Sequence, residues 1–202
     1  MKHQAPLSSF QGNSTFQPSK TSLKVGIWSF FGIWMLEFGA FLSLPAEPTR
    51  EYQLKAVFLY NFTQFIEWPT NAFENKESPL VLGVLGSDPF GALLEETVRN
   101  EQVQGRRLEL KRYRTLAEIK TCHILYIGQS EARRLDRALE GLKGKPVLTV
   151  SDIAGSVLRG VMIEFVTERN RVRLRINPEA AKGSGLTLSS KLLRASEVVS
   201  SP

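Results

Sequence analysis

Leu80-Val81-Leu82-Gly83-Val84-Leu85-Gly86-Ser87-Asp88-Pro89 reads as a buried strand that runs into a turn and then a helix. A short run of apolar and small residues matches a strand covered on both faces, as in parallel sheets. Asp88 is a natural N-cap and Pro89 suits the first helical position, so a helix is expected to about Arg99. The same alternation continues downstream. Leu108, Leu110 and Tyr113 alternate with Glu109 and Lys111 as a half-exposed strand, and Thr115 caps a short helical turn. Cys122 to Ile127 is a strand, Ser130 caps a helix carrying Leu135, Ala138, Leu139 and Leu142, and Pro146 to Val150 is the next strand. Short strands separated by helices specify βαβ units, hence an α/β fold with a mostly parallel, right-handed sheet flanked by helices.

After Ser151-Asp152 the pattern changes. Val161 to Val166 and Arg171 to Ile176 flank Thr167-Glu168-Arg169-Asn170, a hairpin signature that adds an antiparallel pair near the C-terminal part. Pro178 to Lys182 and Ser189 to Val199 read as two helical pieces. Upstream, residues 51–67 form a helix with Leu54, Val57, Phe58, Phe62 and Phe65 at helical spacing and Glu51 four residues before Lys55. Leu59 and Ile66 widen its apolar face. A helix apolar around most of its circumference needs cover on several sides, from its own domain or from a partner. Trp68-Pro69 ends it.

Val25 to Leu44 is almost wholly apolar, interrupted by Glu37, preceded by Lys20 and Lys24 and followed by Pro45-Ala46. A basic flank, an apolar stretch and a small residue at the exit make residues 1–46 a signal peptide, or an N-terminal membrane anchor, behind a polar leader. Glu37 mid-segment argues for cleavage over anchoring. Residues 47–202 are then a single exported domain. The chain of 202 residues carries +6; losing Lys2, Lys20, Lys24 and Glu37 lowers the excess by two. Nucleic acid is a poor partner for an exported protein, so the remaining charge points to acidic surfaces or small anions.

Cys122 is the sole cysteine, which excludes a disulfide within the chain, and it reads as a buried strand residue. His123 follows it on the opposite strand face, so the two cannot act as a thiolate–imidazole pair. One Cys and two His fall short of a structural zinc site. The turn Gly83 to Asp88 lacks both the GxGxxG and the GxxxxGK[ST] spacing, and Asp88 would repel a phosphate. No catalytic residues, metal or cofactor are expected.

Two basic segments stand out. Arg106, Arg107, Lys111, Arg112 and Arg114 gather on one strand. Arg169, Arg171, Arg173 and Arg175 recur at every second position, so they share one strand face, with Val172, Leu174 and Ile176 on the other. Ser189-Ser190-Lys191 before Leu192-Leu193-Arg194 reads structurally as an N-cap and a short amphipathic helix; chemically it could hold an anion or serve as a Ser–Lys hydrolase.

Three segments together resemble the YfiR family of periplasmic proteins: Tyr52 to Phe62 with Phe65 and Trp68-Pro69; Leu85-Gly86-Ser87-Asp88-Pro89-Phe90-Gly91; and Ile176-Asn177, Ala180-Ala181, Gly185-Leu186 with Ser189 to Arg194. Cys122 to Ile127 and Leu148 to Asp152 are similar to family segments between them. The resemblance implies a non-enzymatic regulator that represses an inner-membrane diguanylate cyclase by binding its periplasmic sensor domain, lowering cyclic di-GMP and biofilm formation. It also implies an outer-membrane lipoprotein that sequesters the repressor, and a homodimer. Family disulfides bear on stability, yet Gly83 stands where the family places a cysteine paired with the counterpart of Cys122. Partner contacts are expected at Tyr52, Lys55, Phe58, Tyr60, Asn61, Arg171 and Arg173. The alternative from a different class is a periplasmic small-anion or metabolite-binding protein, using the crevice near Gly86 or Ser189, Ser190, Lys191 and Arg194.

Overall fold

The computed structural model describes residues 50–199, so the expected leader or anchor at 1–46 lies outside the described residues. Helix α1 (Arg50–Phe65) leads into β1 (Ile66–Glu67), which Trp68-Pro69 ends. Then follow β2 (Leu80–Leu85), α2 (Ala92–Val98), β3 (Gln102–Val103), β4 (Arg106–Tyr113), β5 (Ile124–Ile127), α3 (Leu135–Leu142) and β6 (Leu148–Ser151). The chain finishes with β7 (Ile163–Glu168), β8 (Arg171–Ile176), α4 (Pro178–Gly183), β9 (Thr187–Leu188), α5 (Ser190–Arg194) and β10 (Glu197–Val198).

Eight strands form one sheet in the order β10-β8-β7-β6-β5-β2-β4-β3, and β1 pairs separately with β9. Strands β4, β2, β5, β6 and β7 run parallel, as the repeated strand–helix pattern requires. Strand β8 turns back antiparallel on β7 through Arg169 and Asn170, both at positive φ, the two-residue hairpin turn whose twist suits the flanking strands. From β2 the chain passes to β4 on one side, then crosses back to β5 on the other. The sheet is therefore doubly wound, with its switch point between the carboxyl ends of β2 and β5.

The period-two alternation of the buried strands splits the core into two layers. Leu82 and Val84 of β2, Ile124 and Tyr126 of β5, and Leu148 and Val150 of β6 pack with Ala56, Leu59 and Phe62 of α1. Leu85, Leu125 and Ile127 pack on the other face with Leu135, Ala138 and Leu142 of α3. These side chains are essentially inaccessible, and each fully buried Leu, Ile or Phe contributes about 1.5–3 kcal/mol of transfer free energy.

Three local expectations are corrected. Helix α2 starts at Ala92: Asp88 accepts from the N–H groups of Phe90 (2.8 Å) and Gly91 (3.3 Å), closing a turn ahead of the helix instead of capping it. Ser130 does not cap α3, because its Oγ accepts from Ser87 N at 2.9 Å and α3 begins only at Leu135. The last helical piece stops at Arg194, and Glu197–Val198 joins the sheet edge parallel to β8, where Arg175 holds Glu197 at 3.1 Å.

Candidate partner-binding groove

Helix α1 carries apolar residues on too many faces for the sheet to cover all of them. Ala56, Leu59 and Phe62 are buried, whereas Leu54 and Val57 remain 44% and 45% exposed. Phe58 lies between, stacked on Phe62 (6.3 Å) and tilted against Phe165 of β7 (6.1 Å), with one side open. Opposite α1 stands β8, which turns Val172 and Leu174 toward the helix, and α5 closes the end. Together they enclose a groove of about 690 Å³ whose apolar wall includes Phe58, Phe65 and Val172. Asn61, Arg173, Lys191, Arg194, Ser196 and Glu197 supply its polar rim. A second hollow between Leu54, Val57 and Thr167 shares Val172, so the open apolar strip continues along α1.

The rim sets Arg173, Lys191 and Arg194 against the one carboxylate of Glu197, a positive excess that is only loosely neutralised. Arg173 reaches Glu168 at 3.8 Å, while Arg175 is drawn to Glu197. Exposed pairs of this kind contribute at most about 1 kcal/mol, so they yield readily to a competing anion. Arg171, Lys191 and Arg194 make no ion pair among the described residues.

Residues expected from two different readings thus meet: Phe58, Asn61 and Arg173, named as partner contacts, line the same groove as Lys191 and Arg194, named as ligand contacts. Arg171 is exposed on the same strand. Other expected residues are engaged elsewhere. Lys55 is 2% exposed and turned inward, its Nζ 2.8 Å from Asp152 Oδ2 and 2.6 Å from Glu51 Oε1. Tyr52 donates to the same Asp152 oxygen at 3.0 Å, and burial together with that carboxylate pushes its pKa to about 12. Tyr60 donates to Glu101 at 2.8 Å. Ser189 Oγ accepts from Leu192 N at 3.3 Å as the N-cap of α5, and Ser190 is exposed on the first turn.

Asp152 was not singled out from sequence, although it sits at the carboxyl end of β6, where α/β folds collect function. Its Oδ1 and the buried Tyr126 hydroxyl have no direct hydrogen-bond partner among the described residues. The turn around Gly86 is held by local contacts, Ser130 and Glu131 lying where a side chain on Gly86 would point. Ser87 is bonded to Ser130, Gly128 N donates to Leu85 O at 3.0 Å, and Arg112 holds Asp88 at 2.7 Å. Cys122 and His123 point to opposite sides, as strand alternation requires. Cys122 packs in the α3 layer, where burial pushes its thiol to about 12, and His123 stacks on Phe73 at 4.3 Å.

A doubly wound α/β domain with an apolar, cation-rimmed groove has the features of a recognition module. The chain belongs to the YfiR/HmsC-like family, whose model matches residues 52–197. No curated protein matches the sequence significantly. Among the described residues, no helix is long and apolar enough to cross a membrane.

Proposed function

We propose that this protein is an exported repressor that binds the periplasmic sensor domain of an inner-membrane diguanylate cyclase and holds the enzyme inactive. Family membership supports the class of role. The observation that carries the reading to a surface is the groove between α1, β8 and α5, where half-buried Phe58, Phe65 and Val172 adjoin Arg173, Lys191 and Arg194, while exposed Leu54 and Val57 extend the apolar strip along α1. A partner with an apolar ridge flanked by Asp or Glu complements it in both shape and sign. Apolar contact supplies the affinity, and the cations speed encounter and fix orientation. An outer-membrane lipoprotein that competes for the repressor would release the cyclase.

Deleting the gene in a host that expresses the cognate cyclase is expected to raise cyclic di-GMP, and restoring the wild-type gene to lower it again. An unchanged nucleotide level, with the cyclase demonstrably present, contradicts the proposal. The small-anion alternative keeps Lys191 and Arg194 as its ligands, since both are unpaired in the groove.

A further inference from the structure

On the opposite face of the sheet from the α1 groove, the segment following β4 arches over α3 and leaves a pocket of about 560 Å³. Four basic side chains line it: Arg114 from the end of β4, Arg134 and Arg137 from the start and first turn of α3, and Lys145 beyond its end. They come from three stretches of chain and converge only through the βαβ crossover. One carboxylate accompanies them. Glu131 is 5% exposed and engages Arg134 at 2.7 Å. Arg114, Arg137 and Lys145 have no ion-pair partner among the described residues, although Glu118 accepts from the Arg114 backbone N–H at 3.1 Å and lies within electrostatic range of its guanidinium.

The floor is apolar and closely fitted. Leu116 and Ile119 from the connecting segment meet Leu85 and Ala138. Gly141 lies in the last turn of α3, one residue before its end. A Cβ there would fall 2.4 Å from Leu116 Cδ2, so the missing side chain is what lets Leu116 lie flat against the helix. The volume falls within the usual range for small-molecule sites, and an apolar cleft with a few converging polar groups is their usual form. Guanidinium forks match the oxygens of carboxylates and phosphates.

The geometry points to a second binding site here, for a small organic anion: a carboxylate or phosphate ester joined to an apolar body. The anionic head sits among Arg114, Arg137 and Lys145, and the body lies on Leu116 and Ile119. This site is independent of the partner groove, which is built from other elements on the other face.

Isothermal titration of the purified protein with phenyl phosphate and with benzoate tests it, against inorganic phosphate and benzyl alcohol, which each carry half of the chemistry. Saturable binding of at least one amphipathic anion is expected, at least tenfold tighter than either half-ligand. An Arg114→Gln/Arg137→Gln double variant should weaken that binding by about tenfold or more, because a charge-assisted hydrogen bond contributes that much, while its melting temperature without ligand stays unchanged. Arg171→Gln/Arg173→Gln should leave the affinity unchanged. No saturable binding of either amphipathic anion, equal affinity for inorganic phosphate, or undiminished binding by the Arg114/Arg137 variant would each overturn the assignment.

Discussion

Lys55 occupies a position on α1 that sequence periodicity assigns to the helix surface, yet it is buried with Asp152 as its nearest fully enclosed partner. The i,i+4 spacing made the Glu51 contact legible; the Asp152 contact, 97 residues away, was not, because no local rule encodes it. Removing one member of a buried pair strands the other charge. Asp152→Ala is therefore expected to lower unfolding free energy by roughly 3 kcal/mol, the lower end of the usual range because Glu51 still faces the ammonium. Replacing both groups with Leu and Met should recover most of that loss, and urea unfolding measures both. His123 offers a pH test. Its Nδ1 accepts from Val81 N at 3.0 Å and its Nε2 lies 3.1 Å from the Ala72 carbonyl, so the folded ring is the neutral Nε2–H tautomer. Burial holds its pKa below the ordinary 6.5. The unfolded chain takes up that proton first, so stability present above pH 6.5 declines as pH falls below it towards the folded value. Urea midpoints of wild type and His123→Gln should therefore converge as pH drops from 7 to 5; parallel profiles would contradict the assignment.

Elements with strong local signals form where the residues place them, and weak ones follow tertiary contacts. The β7–β8 hairpin is legible because Arg169-Asn170 supports a tight turn and both flanking runs alternate. Strand β10 is not, since Glu197–Val198 carries no strand pattern and gains its place from Arg175 and the β8 edge. The start of α2 was misplaced for a related reason: Asp88 serves equally in a cap and in an isolated turn, and Arg112 from β4 draws its second oxygen away. The same scale explains the departure at Gly83. A Cβ on this β2 residue would lie 2.8 Å from Cys122 Sγ and 2.7 Å from the Tyr113 ring, so the two strands leave room for glycine alone or for a bonded sulfur pair. Gly83→Ala is expected to destabilise by about 1–3 kcal/mol through overpacking. Gly83→Cys, oxidised, should bridge to Cys122, seen as a mass two daltons lower than the reduced chain and a higher melting temperature. A variant that keeps both thiols free under oxidising conditions would show that the strands hold these positions apart.

For the whole molecule, the parallel sheet with its antiparallel extension was readable from the order of apolar runs, whereas the groove was not. Its wall and rim come from α1 and, more than a hundred residues later, from β8 and α5, and only the fold of β8 back onto β7 brings Val172, Leu174 and Arg173 beside Phe58. The over-apolar helix gave the one advance sign, a surface needing cover that the domain does not fully provide. The pocket over α3 was harder still to read, because its four cations lie scattered among ordinary solvated charges and Gly141, close to the end of α3, looks like an ordinary helix-terminating glycine. The central claim is that the α1–β8–α5 groove is where a cyclase sensor domain binds. Titration of that purified sensor domain into wild type, Val57→Asp and Arg173→Glu/Arg194→Glu tests it most directly, because these exposed positions leave the core untouched. Saturable binding by wild type, weakened at least tenfold in both variants with their melting temperatures preserved, is the predicted result; unchanged affinity in both would contradict it.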